Sequence, residues 1–170
     1  MRNLSRFTIV GTAIIGALLL PVKCCAQAKC PWLNAATAAG VLGGEVKLSV
    51  TPPTNLGDVG CEFSLKSAAG IVALRIEVST LNDPAYEFPV YRSRSCVGTS
   101  FPLRAIGNEA YQCISTITHS GGEDKVIGRV RERAFTLTIN RGITSPSTPK
   151  TSELNAETRN TAEQIAGGLF

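Results

Sequence analysis

The chain has a single histidine, His119, with Ser120 beside it and Glu123 and Asp124 just beyond. A serine, a histidine and a carboxylate are the parts of a hydrolase: nucleophile, base and orienting acid. However, no Gly-x-Ser-x-Gly elbow leads into a helix here, and a histidine in a Ser/Gly-rich turn is ordinarily a solvated turn residue. A small secreted hydrolase built near His119 is therefore the alternative reading, and no catalytic residue is assigned. Glycoside chemistry would need two carboxyl groups facing a cleft about 5–10 Å apart. Glu62 and Glu77 are the pair to consider, but both alternate with apolar positions and so belong on the solvent face of strands. Gly43-Gly44 and Gly121-Gly122 are not part of a phosphate-cradling motif.

A more informative cluster is Tyr86, Phe88, Tyr91, Arg92 and Arg94, inside a stretch from Leu81 to Phe101 that also carries Pro84 and Pro89 and shows no clean periodicity. That stretch is expected to be a long loop, and loops beyond about 12–15 residues are usually either functional or disordered. Aromatics interleaved with arginines are the composition of binding surfaces. Tyr86, Tyr91, Arg92 and Arg94 are accordingly the candidate binding residues, with Phe88 and the tyrosines alternatively packing the loop onto the sheet edge. Arg129, Arg131 and Arg133 could meet an anionic partner, though cations on a hairpin more often guard it against edge pairing.

Six cysteines complete the chemically capable residues. The chain opens with Arg2 and Arg6, continues through an uncharged apolar run from Phe7 to Val22, and reaches Ala26-Gln27-Ala28. This is the pattern of a removable secretory signal over residues 1–28. Cleavage after Ala28 leaves one domain, residues 29–170, with no membrane span and a secreted or periplasmic destination. The alternative is lipid anchoring at Cys24 or Cys25, but lipoprotein processing wants a small residue before the cysteine and Lys23 precedes Cys24.

Cleavage also leaves four cysteines, Cys30, Cys61, Cys96 and Cys113. An even number in an exported chain argues for disulfides. Four cysteines allow three pairings, and the expected one is Cys30–Cys61 with Cys96–Cys113, clipping an N-terminal helix to a strand and the long loop to another. Zinc is not expected, because no Cys-x-x-Cys pair remains and only one histidine exists. No cofactor is expected either. Removing Arg2, Arg6 and Lys23 from the 17 cations leaves 14 against 13 acids, a net charge of +1. Such a domain carries no electrostatic footprint for nucleic acid or an anionic membrane.

The elements that must position these residues follow from pattern. Asn34 caps a helix over 35–42 that Gly43 stops, with Trp32, Leu33, Val41 and Leu42 as apolar anchors. Val46, Leu48 and Val50 alternate with polar neighbours as in a strand that ends at Pro52-Pro53. Runs around Cys61–Leu65 and Val72–Val78, joined by Ser67-Ala68-Ala69-Gly70, form a β-hairpin. A strand is expected from Ala110 to Thr118. Val126, Gly128 and Val130 share one parity and Phe135, Leu137 and Ile139 the other, which places a tight turn at Glu132-Arg133 between two strands. The segment from Ile143 to Pro149 is a Ser/Thr/Pro-rich linker. Thr151 then caps a helix whose inner stripe is Leu154, Thr158, Ala162, Ile165 and Leu169. The fold class is α+β: an antiparallel sheet of about six strands flanked by an N-terminal and a C-terminal helix.

This order of features resembles a known group. It comprises a cysteine at the mature N-terminus, an alanine-rich helix ending in Leu-Gly-Gly, the Cys61-Glu62-Phe63 strand, an Ile-Gly-Asn-Glu-Ala turn, an Arg-Val-Arg hairpin followed by Ala-Phe, and a closing amphipathic helix. Together they resemble a family of small exported envelope proteins of unknown function, common as lipoproteins in high-GC Gram-positive bacteria and secreted elsewhere. The resemblance covers most of Cys30 to Phe170 and implies a PsbP-like α/β sandwich. It also supports the Cys30–Cys61 pairing, with Cys96 and Cys113 as additions in this chain, and it brings no catalytic residues. The expected function is that of a non-enzymatic extracytoplasmic binding domain that engages an envelope or extracellular protein, or a small ligand, through the 81–101 loop or the sheet face.

Overall fold

A computed structural model describes residues 29–53, 59–67, 70–115, 123–141 and 154–170. Seven strands form one antiparallel sheet: β1 (Lys47–Thr51), β2 (Val59–Ser67), β3 (Gly70–Thr80), β4 (Gly98–Leu103), β5 (Glu109–Ser115), β6 (Glu123–Val130) and β7 (Arg133–Asn140). Their spatial order is β1-β2-β3-β7-β6-β5-β4. Two meanders, β1-β2-β3 and β4-β5-β6-β7, thus meet along a β3–β7 seam, where Ala73 pairs with Asn140 and Thr80 with Arg133. The helices are α1 (Ala35–Leu42), α2 (Pro84–Ser95) and α3 (Ala156–Gly168).

Strand parity sorts the side chains onto two faces. Cys61, Phe63, Leu74, Ile76, Val126, Phe135, Leu137 and Ile139 are buried on one face, where they join Trp32, Leu33, Ala38, Ala162, Ile165 and Leu169 of the N-terminal segment, α1 and α3. Both terminal helices therefore cover the same face. On the other face α2 covers only the β5–β7 part, around Ile127 and Ala134. The β1–β3 part of that face is polar, and there Arg75 opposes Glu62 and donates to it at 2.6 Å. That hydrogen bond, helped by the carboxylate's charge, raises the guanidinium above its ordinary pKa. Glu77 opposes Gly60 and Thr136, so Glu62 and Glu77 do not form a directly opposed carboxylate pair.

The sheet has seven strands where about six were expected, and the stretch 81–101 is not a loop. It contains α2 and most of β4, an edge strand able to accommodate Pro102 because only one of its sides is paired. The turn between β6 and β7 falls at Arg131-Glu132, one residue before its predicted place. The described α3 is capped by Asn155, whose Oδ1 accepts from the N–H of Glu157 at 2.9 Å. Thr151, the predicted cap, lies outside the described residues, as do residues 116–118 of the predicted 110–118 strand.

Two non-glycine residues with positive φ lie close together at one end of the sheet: Ala105 at 66° and Arg131 at 54°. The 104–108 segment is held against the β6–β7 hairpin by Asn108, whose N–H donates to Arg129 and whose side chain accepts from the N–H of Arg131. Gly107 is required there, since at φ +60° a Cβ would meet the Arg129 carbonyl oxygen at 2.5 Å. A left-handed conformation costs an L-residue about 1–2 kcal/mol, against about 0.5–1 kcal/mol of extra chain entropy for glycine. Ala105→Gly is therefore expected to stabilise the domain by about 0.5 kcal/mol, read as a rise of about 1–2 °C in melting temperature. A fall would show that the loop adopts another conformation.

Candidate functional site

α2 begins with a strong local signal. Asp83 accepts from the N–H of Tyr86 at 3.3 Å, and Pro84 occupies the first turn, where its missing N–H costs nothing. Glu87 reaches back to the N–H of Asn82 at 2.8 Å. Inward, Phe88 is 1% exposed. Its ring lies 6.4 Å from that of Tyr91 and 6.3 Å from that of Tyr111. The hydroxyls of Tyr91 and Thr136 share a hydrogen bond of 2.9 Å, which fastens the helix to β7. At the other end, Cys96 caps the helix and is bonded to Cys113 of β5, with Cα atoms 5.6 Å apart. The second disulfide, Cys30–Cys61, joins the N-terminal segment to β2. Both expected pairings are present, and they suit an oxidising extracytoplasmic compartment.

The four candidate binding residues divide into two pairs. Tyr91 is used internally, and so is Arg92, whose guanidinium lies 4.2 Å from the centroid of the Tyr111 ring. Tyr86 is 73% exposed, and Arg94 is exposed with no ion pair or hydrogen bond among the described residues. With Phe88 facing the sheet, the helical repeat turns Tyr86, Val90 and Ser93 outward in one row, flanked by Pro89 and Arg94. Val97, 60% exposed, follows just beyond the helix. The sequence reading missed Val90, Ser93 and Val97 because it lacked the helix that aligns them.

Of the three arginines at the β6–β7 hairpin, Arg129 and Arg131 make contacts within the chain, while Arg133 is exposed. Arg129 donates to Glu109 at 2.8 Å and to the Arg131 carbonyl at 2.9 Å, and Arg131 lies 5.5 Å from the Phe170 ring centroid. His119 and Ser120 fall outside the described residues. The acids next to them are already engaged. Glu123 pairs with Lys125 at 3.4 Å, while Asp124 accepts from Thr158 at 3.0 Å and faces Arg141 at 3.8 Å. Among the described residues no group of three or more His, Cys, Asp or Glu side chains is arranged to hold a metal. None of the described helices is long and apolar enough to cross a membrane.

On the opposite face of the sheet, α1 rests on β2 and β3 and α3 on β6. An open groove of about 340 Å³ lies between the two helices, lined by Thr37, Gly40 and Val41 of α1 and by Glu157, Asn160, Thr161 and Gln164 of α3.

The fold and surface together define a disulfide-bonded antiparallel α+β domain that displays a fastened helix. No protein-family model, no curated protein and no solved structure matches the chain.

Proposed function

We propose that this chain is an exported, non-enzymatic interaction domain that binds an envelope or extracellular protein through the outer row of α2, with Tyr86 and Arg94 as anchors. The observation that carries this reading is the contrast between the two sides of one helix. Inward, α2 is fixed by Phe88, the Tyr91–Thr136 hydrogen bond and the Cys96–Cys113 bridge. Outward, it leaves a large aromatic ring and an arginine without partners among the described residues. Tyr and Arg are the side chains in which binding energy concentrates, and a pre-fastened helix loses little entropy on association. Export rests on the signal-like N-terminus together with the disulfides. The same reading places the domain with the small exported envelope proteins whose order of features it resembles. The hydrolase alternative turns on His119 and Ser120, which lie outside the described residues; of the nearby acids, Glu123 pairs with Lys125 and Asp124 accepts from Thr158.

Site-specific photo-crosslinking in the native host tests the proposal. A crosslinking side chain at Tyr86 or Ser93 is expected to trap one discrete protein adduct, and Arg94→Glu should weaken that trapping at least tenfold while leaving the melting temperature unchanged. The same side chain at Ser49, on the open polar part of the sheet, should trap nothing. An adduct at Ser49 with none at Tyr86 would move the binding surface to the sheet face and overturn the α2 reading.

A further inference from the structure

We propose that β1 pairs antiparallel with β1 of a second copy, about a two-fold axis at Ser49, so that the chain forms a weak dimer. The surface is a sheet edge, and the proposal does not rest on the reading of α2. It follows first from the phase of the backbone ladder. Val130 and Arg133 close a two-residue turn and so exchange hydrogen bonds across it. In an antiparallel sheet alternate residues point their N–H and C=O to one neighbouring strand, and the residues between them point to the other. Carried through the observed registers of β7, β3 and β2, this turns Glu62 toward Ser49 and leaves the N–H and C=O of Leu48 and Val50 facing outward. Carried the other way, it turns the nitrogen of Pro102 outward on β4, the side on which an edge strand accepts proline.

The two edges are therefore unlike. On β4 the proline removes a donor and blunts the edge. On β1 both outward residues keep donor and acceptor, and no strand among the described residues pairs with them. Leu48 and Val50 are also only half-buried, at the outer ends of rows whose inner members, Phe63 and Leu74, Cys61 and Ile76, are buried. Such an edge takes another extended strand, and β1 is complementary to itself. With the axis at Ser49, Leu48 lies opposite Val50 of the second copy and Val50 opposite its Leu48, so the outward groups make four hydrogen bonds and the apolar side chains share the core-facing side. An axis at Leu48 would need Val46, outside the strand, and would bring Lys47 diagonally beside its own copy. An axis at Val50 would set Leu48 against Pro52, which has no N–H. Charge also favours the central register. It places Lys47 of the second copy beside Thr51, at the level of Gly60, where no side chain intervenes; Glu77 lies opposite that glycine and Glu62 two residues along.

Five residues a side bury well under the about 800 Å² per partner of a stable complex, so the dimer should dissociate at roughly 0.1–1 mM. Sedimentation equilibrium of the purified, oxidised protein from about 10 µM to about 2 mM tests this, with the apparent mass expected to climb toward twice the monomer's. In ¹⁵N spectra over the same range the amides of Leu48 and Val50 should shift, while those of Gly98 and Ser100 on β4 stay fixed. Ser49 meets its own copy on the axis in a closely spaced pair, so Ser49→Lys and Ser49→Asp should each weaken association at least tenfold, and mixing the two variants should restore it. Ser49 is exposed, so either variant keeps the wild-type fold, checked by its spectrum at low concentration. A monomer at the highest concentration, undiminished association in either variant, or no rescue on mixing would overturn the proposal. So would shifts at Gly98 and Ser100 in place of Leu48 and Val50. At micromolar protein the dimer is almost unpopulated, so Ser49 stays silent in the crosslinking experiment and the two proposals fail separately.

Discussion

Replacing Cys30 and Cys61 together by alanine lowers the stability of the oxidised domain by about 4 kcal/mol. The bridge closes a loop between residues 31 apart, and in the chain-entropy view a cross-link of that length removes about 3–4 kcal/mol of freedom from the unfolded chain. It also anchors the segment that carries Trp32 and Leu33 into the core beside Ala38. Cys61 is itself 1% exposed, so alanine leaves a small void where sulfur was. For comparison, the Cys96–Cys113 loop spans 17 residues and is expected to contribute about 3 kcal/mol. Denaturant melts of the oxidised wild type and the double variant measure the difference. A loss below about 1 kcal/mol would mean that the N-terminal segment stays ordered through its apolar contacts alone, and that the unfolded chain is compact enough to make the cross-link nearly redundant.

Gly128→Ala is expected to cost about 3 kcal/mol and about 6–10 °C of melting temperature. Gly128 faces the core from β6, directly opposite Phe135 of β7, and a Cβ added there would sit inside contact distance of the Phe135 ring. The ring is fully buried in the core, with Val78 opposite it on β3 and Leu137 next to it on the same face of β7, so it has nowhere to retreat. Close-packed interiors resist even one added methyl when the neighbour is a rigid ring. Shortening that ring makes room, so Gly128→Ala/Phe135→Leu should be less damaging than the sum of the two single changes by at least about 1 kcal/mol. Additive losses would show that the cost of alanine comes from somewhere other than this contact.

Much of the fold is visible in the residues, and where it was missed the reason is local. Asn34 and Gly43 bracket α1 in the structure as their chemistry requires, with Gly43 at φ +81°. The conflicting parities of Val126–Val130 and Phe135–Ile139 demanded a turn, and the hairpin is there. α2 escaped because an interior Pro89 and only one fully buried side chain, Phe88, erase the apolar periodicity by which helices are recognised. Its start was nonetheless written in Asp83-Pro84, a capping residue followed by proline, with Glu87 in the first turn. β4 escaped for a related reason: Pro102 reads as a breaker, although an edge strand tolerates it. Of the binding candidates, Tyr86 and Arg94 proved outward and Tyr91 and Arg92 inward, a distinction set by the phase of a helix that composition does not reveal. The groove between α1 and α3 was out of reach altogether, because it arises from two segments distant in sequence lying side by side on one sheet face.

Each disulfide closes within one meander. Cys30–Cys61 lies in the part that holds α1 and β1–β3, and Cys96–Cys113 in the part that holds α2, β4–β7 and α3. Neither of these bridges crosses the β3–β7 seam, whose partners lie 53 to 67 residues apart, from Thr80↔Arg133 to Ala73↔Asn140. The molecule is therefore two cross-linked halves zipped together by one strand pair and a shared core. Such a seam, of high contact order, forms late in folding and is the place where halves from two copies could be exchanged. Each half can therefore close its own bridge without the other, so correct pairing of these four cysteines does not have to wait for the finished sheet.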